Sequence, residues 1–108
     1  MIFTLGDVRS AVERGRLHWR VHALERLLER GISREEVLWI LFHGEVIEEY
    51  PSGKPFPTVL VWGQQEGRSL HVVVAYCGAS GDAYIISTYE PDEGRFGPDL
   101  RTRRKING

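Results

Sequence analysis

The stretch Val37-Leu38-Trp39-Ile40-Leu41-Phe42-His43-Gly44-Glu45-Val46-Ile47-Glu48-Glu49-Tyr50 changes its hydrophobic period halfway, and that change decides the fold class. Before Gly44 the residues are apolar nearly all round, as in a helix that is deeply buried or covered by a partner. After Gly44 the pattern turns to the alternation of a strand. Working upstream, Ser33 with Glu36 forms a capping box and Ile32 with Val37 a hydrophobic staple, so this helix starts at Ser33 and ends near His43. Gly31 stops a preceding helix that opens at His22. Further back, Thr4 with Asp7, Phe3 with Val8 and the stop at Gly15 mark a first helix, whose buried stripe would be Leu5, Val8 and Val12. Leu17-His18-Trp19-Arg20-Val21 alternates apolar and polar residues, which suits either a short strand or the lead-in to the His22 helix.

Downstream, a Pro/Gly-rich loop over 51–57 is followed by strand patterns at 58–62, 70–77 and 83–89. The connections are 63–69 and the turn 78–82. Short connections between successive strands favour an antiparallel meander. The expected architecture is therefore α+β: N-terminal helices packed on a curved antiparallel sheet of about four strands, in one domain over 1–108 with a basic tail from about residue 100.

A chain of 108 residues can bury about two-thirds of the surface its unfolded form exposes. Cys77 is the single cysteine, so no internal disulfide forms, and its apolar run 72–77 makes it a buried small hydrophobe. No apolar run is long enough to span a bilayer and the start lacks a leader pattern, which points to a soluble, cytoplasmic protein. The net charge is −1, but it is unevenly spread: +4 over 9–34, −4 over 35–54, −4 over 82–99 and +4 over 100–108. If the ends converge, the two basic blocks form a face for a polyanion, and the acidic middle a surface for a basic partner.

Chemistry-bearing residues are few. His22, Arg26 and Arg30 fall within an arc of roughly 80° on one helix, opposite Ala23, Leu24, Leu27 and Leu28, which face a core. An imidazole beside guanidinium groups suits acid–base chemistry on a phosphodiester, and equally an ordinary solvated helix face. His71 stands in the opposite strand phase to Leu70, Val72 and Val74, where it and Tyr89 could meet a ligand or hydrogen-bond within the fold. As metal ligands, His18, His22, His43 and His71 lack a zinc-protease spacing. Gly78-Ala79-Ser80-Gly81 is a turn and no nucleophile elbow, and the glycines fit neither a P-loop nor a dinucleotide fingerprint. No metal and no cofactor is expected. The tryptophans and tyrosines could stack bases or fill volume. Arg101, Arg103, Arg104 and Lys105 put four cations into five residues, which suits polyanion contact.

In order and spacing, several segments resemble a bacterial family of unknown function, DUF4258. These are His22, Arg30-Gly31-Ile32-Ser33, Gly44-Glu45-Val46-Ile47-Glu48-Glu49-Tyr50, Leu70-His71-Val72, Ile86-Ser87-Thr88-Tyr89-Glu90-Pro91 and Asp99-Leu100-Arg101. The likeness spans about residues 17 to 104. Members look like the barnase, EndoU, colicin and RelE-like ribonuclease group, many of them toxins of toxin–antitoxin pairs. The resemblance implies a RelE/barnase-like fold and metal-independent RNA cleavage, held in check by a cognate antitoxin such as a small zinc-finger protein.

Such cleavage needs a base for the 2′-hydroxyl, a cation for the phosphorane and an acid for the leaving 5′-oxygen. On this reading His22 and His71 are the acid–base pair, Arg26 holds the phosphate and Tyr89 is an orienter or substitute acid. Arg30, Arg101, Arg103, Arg104 and Lys105 bind the RNA backbone. Two rival readings are a non-catalytic module that uses Glu45 to Glu49 and the 37–42 helix for a partner protein, and a histidine metallohydrolase. A homo-oligomer is compatible with either.

Overall fold

The computed structural model describes residues 2–91. Three helices and the first strand come first: α1 (Leu5–Glu13), β1 (Leu17–Trp19), α2 (Val21–Arg30) and α3 (Arg34–His43). The remaining strands follow in sequence as β2 (Glu45–Tyr50), β3 (Thr58–Gln65), β4 (Arg68–Cys77) and β5 (Asp82–Tyr89). The fold is α+β, with a five-stranded sheet in the order β1-β5-β4-β3-β2. Strands β2 to β5 form the expected antiparallel meander. The segment whose alternation left strand or lead-in undecided is a strand, and it pairs parallel to β5, Leu17 against Ala83 and Trp19 against Ile85. The sheet is therefore mixed and has five strands where about four were expected.

The helix boundaries follow from local chemistry. Thr4 Oγ1 accepts from Asp7 N at 3.1 Å while Thr4 N donates to Asp7 Oδ2 at 2.9 Å, and Ser33 with Glu36 repeats this reciprocal cap at 3.0 Å both ways. These bonds satisfy amides that the first helical turn leaves without partners. Gly31 ends α2 in the left-handed region, φ 64°, where a side chain would be strained. The β3–β4 hairpin is tighter than the 63–69 connection expected: Glu66 and Gly67 turn at φ 52° and 80°, so both strands run on to the pair Gln65–Arg68.

All three helices pack on one face of the sheet. That core joins Val8, Leu27 and Ile40 from the helices to Val61, Val72 and Ile85 from the sheet. In α1 the buried residues are Val8 and Ala11, with Leu5 and Val12 only partly covered. Along α3, Val37, Ile40 and Leu41 are fully buried, whereas Trp39 is partly exposed and stacks on His43 with ring centroids 3.7 Å apart. In α2 the core stripe is narrower than expected: Ala23 and Leu27 are buried but Leu28 is 85% exposed. Residues four apart share a face, and Ala23 and Leu27 make the buried face of this short helix, with Leu24 partly covered beside them. Cys77, expected in the core, is half-buried at the end of β4.

Two joints hold the layers in register. Arg9 Nε of α1 donates to the Leu41 carbonyl at 2.8 Å, which satisfies one of the last carbonyls of α3. Arg68 reaches from β4 to Glu36, Glu90 and the carbonyls of Arg30 and Gly31 at 2.7–3.2 Å, tying α2, α3 and the end of β5 together. Where α3 turns into β2 the backbones nearly touch. A Cβ on Gly44 would lie 2.5 Å from the Trp62 carbonyl oxygen and 2.6 Å from that of Ile40.

Candidate active site

β1 is an edge strand, and its period of two, continued by the extended residues on either side of it, sends Arg16, His18 and Arg20 to the face opposite the helices, while Leu17 and Trp19 pack against the core. Its neighbour β5 sends Asp82 and Tyr84 to the same face, because His18 and Tyr84 are register partners. Five side chains consequently meet. Asp82 receives Arg16 Nη2 at 3.0 Å and faces His18 Nε2 at 2.9 Å. The His18 ring stacks on Tyr84, centroids 5.0 Å apart, and Tyr84 stacks in turn on Phe56 at 5.4 Å. The Arg20 guanidinium lies 5.3 Å from the centre of the Tyr84 ring.

The Asp82 carboxyl is pushed down to about 2, first by the hydrogen bond from His18, then by that from Ser80, with the charges of Arg16 and His18 adding and desolvation opposing. It is a carboxylate at any physiological pH. The His18 side chain is half exposed and that of Asp82 mostly covered, so the carboxylate acts as a fixed anchor beneath an accessible ring. With Nε2–H donating to Asp82, Nδ1 becomes the basic nitrogen of the neutral imidazole. That is an oriented base with guanidinium groups on both sides along the strand. Close by, the Cys77 thiol is held below its ordinary value, chiefly by a hydrogen bond with Ser80. Among the described residues no group of three or more His, Cys, Asp and Glu side chains gathers as a metal site.

The residues expected from sequence are distributed differently. His22 lies on the outer side of the helix layer, its side chain 94% exposed, with Nδ1 3.6 Å from Glu25. Arg26 pairs with Glu29 at 3.2 Å. His71 is fully buried on the other face of the sheet, where it and Tyr89 are register partners with rings 5.5 Å apart. The structure thus brings His71 to Tyr89 and places the sheet between His71 and His22. Arg30 reaches over the end of β5, donating to the Thr88 carbonyl at 2.7 Å, and with Tyr89 and Glu90 it lines a shallow cavity. Arg101, Arg103, Arg104 and Lys105 lie outside the described residues.

Sequence reasoning considered His18 only as a metal ligand and Tyr84 only among the aromatics that could stack bases or fill volume, and passed over Arg16, Arg20 and Asp82. A signal was present: Arg-x-His-x-Arg in a strand places three nitrogen-rich side chains on one side. Asp82 carried none, because its partner on β1 is 64 residues away.

The fold and this cluster define a small α+β domain with an acid–base-capable edge strand. The model of a family described as "Domain of unknown function (DUF4258)" matches residues 19–90, and the chain belongs to that family. No curated protein and no solved structure matches the chain. No helix among the described residues is long and apolar enough to cross a membrane.

Proposed function

We propose that this protein is a metal-independent endoribonuclease of the toxin type, with His18 as its base. The observation that carries the reading is the His18–Asp82 pair, an accessible imidazole fixed by a permanently charged carboxylate and flanked by Arg16 and Arg20. His18 Nδ1 takes the proton of a ribose 2′-hydroxyl, and the 2′-oxygen attacks the adjacent phosphorus. The bond to the 5′-oxygen breaks, that oxygen takes a proton from water, and a 2′,3′-cyclic phosphate remains. A guanidinium of the pair stabilises the crowded phosphorane. This assignment moves the base from His22 and His71, which stand on opposite sides of the sheet, to an edge where base and cations already meet.

The test is cleavage of a fluorescent RNA oligonucleotide by the full chain in the presence of a chelator. His18→Gln is expected to lower the rate by about 100-fold or more, the usual scale for a general base. His22→Ala is expected to cleave as the wild type does. A His18→Gln protein that is folded by circular dichroism and cleaves at the wild-type rate refutes the assignment.

A second reading, a non-catalytic module for a protein partner, is favoured by α2. Val21 and Leu28 are 68% and 85% exposed, and Leu24, Leu27, Leu28 and Ile32 line an apolar groove beside them. On the toxin reading the same groove is the seat for a cognate antitoxin, such as a small zinc-finger protein. A folded chain that leaves RNA uncut at every sequence tested, yet binds a purified neighbouring gene product one to one and loses it on Leu28→Glu, would favour the module.

A further inference from the structure

We infer that the ligand of the β1 edge is an unpaired, extended RNA strand lying along β1, with alternate phosphates at Arg16 and Arg20 and the phosphodiester between them at His18. This deepens the ribonuclease reading and rests on it for the identity of the polymer. The spacing comes first. Same-face residues of a strand are about 6.6 Å apart, comparable to the separation of neighbouring phosphates in an extended single strand. His18 is the middle residue of β1; Arg16 just before the strand and Arg20, the extended N-cap of α2, flank it at that spacing, and their contacts with Asp82 and Tyr84 show all three side chains on one side. No strand flanks β1 on its outer side among the described residues, so a polymer can follow the edge.

The rings make the second argument. His18, Tyr84 and Phe56 stand in a near-parallel row, with interplanar angles of 26° and 14° between neighbours. A base joins such a row only by stacking on a ring face, which a base still paired in a helix cannot offer. Duplex RNA presents its phosphates but keeps its base faces inside. The combination of a cation array with a stacking row selects single strands and reads little sequence.

Charge accounting separates the two arginines. Asp82 already offsets Arg16 at 3.0 Å, whereas Arg20 meets only the ring of Tyr84 in the contacts described. Arg20 therefore contributes most of the released counterions. Losing one phosphate contact to a single strand lowers the slope of log K against log salt by about 0.7.

The experiment uses the full chain and uncleavable 2′-O-methyl RNA 12-mers, single-stranded or annealed, read by fluorescence anisotropy across a salt series. The single strand is expected to bind at least about tenfold more tightly than the duplex. Arg20→Ala should reduce the salt slope by about 0.7, and Phe56→Ala should weaken single-strand binding by about 5- to 100-fold. Arg26→Ala, on the far side of the helix layer, should leave both unchanged. Equal affinity for single strand and duplex, an unchanged slope in Arg20→Ala, or no binding at all overturns the inference. Failure of the two readings is distinguishable. Tight single-strand binding without cleavage of ordinary RNA refutes the ribonuclease and leaves the binding mode standing, whereas cleavage of duplex RNA with no preference for single strands does the reverse.

Discussion

Replacing Arg68 with methionine keeps the aliphatic stem and removes the charge that joins four parts of the fold. The guanidinium donates to Glu90 at 2.7 Å, to Glu36 at 3.1 Å and to the carbonyls of Gly31 and Arg30 at 3.1 and 3.2 Å. These contacts are not equal. The Glu90 side chain is 61% exposed, so that pair is screened by water and contributes about 0.5 kcal/mol. Glu36 and Arg68 are 25% and 28% exposed, and a partly buried pair of this kind contributes about 1 kcal/mol. The two carbonyls end α2 and otherwise face away from intrahelical donors, and charged donors to them add about 0.5–1 kcal/mol each. The loss is therefore about 3 kcal/mol, which for a domain of this size lowers the thermal midpoint by about 15 °C. Thermal unfolding of Arg68→Met followed by circular dichroism measures it. A double-mutant cycle with Glu36→Gln, which retains the capping acceptor, should show coupling of about 1 kcal/mol. A loss below about 1 kcal/mol with no coupling would refute the view that Arg68 clamps the helix layer to the sheet.

Other outcomes are expected. Because the folded Asp82 carboxyl titrates at about 2 instead of 3.8, its stabilising contribution is complete above the ordinary value and disappears as the pH falls from about 4 to about 2. Asp82→Asn should flatten that part of the stability–pH curve, and denaturation midpoints across pH 2–5 would show whether it does. Gly44→Ala forces a methyl group against two backbone carbonyls at 2.5 and 2.6 Å, and neither can rotate away. Equilibrium urea unfolding should show a loss on the order of 3 kcal/mol. Gly31→Ala, in the left-handed cap of α2, should cost about 1 kcal/mol by the same measurement. Leu28→Ser removes a side chain that is 85% exposed, and its unfolding free energy should stay within about 0.5 kcal/mol of the wild type.

What could be read in the sequence was local. The Ser33–Glu36 box, the Gly31 stop and the change of period at Gly44 each depend on residues within a few positions, and the helix ends and the meander came out as expected. Non-local features escaped. Nothing near Leu17 announces that it will lie beside Ala83, so the parallel pair and the mixed character of the sheet needed the folded chain. The helical wheel of α2 showed which residues were apolar but not how wide a stripe β5 would accept, and Leu28 fell outside it. The strand phase of His71 was legible, but the phase alone cannot say that α2 covers the opposite face. A pairing of His71 with His22 therefore looked feasible until the layers were in place. His18 was visible as a histidine in an alternating segment, but its meaning depended on Asp82.

The parallel pairing of β1 with β5 also sets an order of assembly. The β2–β5 meander closes through neighbouring turns, whereas β1 waits for a partner strand that begins at Asp82 and pays the loop-closure entropy of everything in between. During synthesis, α1, β1, α2 and α3 emerge and collapse well before that strand exists. Until then His18 has no carboxylate to orient it and Arg20 no ring to lie over. In this topology the incomplete chain carries the His18 imidazole without its carboxylate anchor. Late closure of the edge strand confines the oriented imidazole to chains already synthesised through β5.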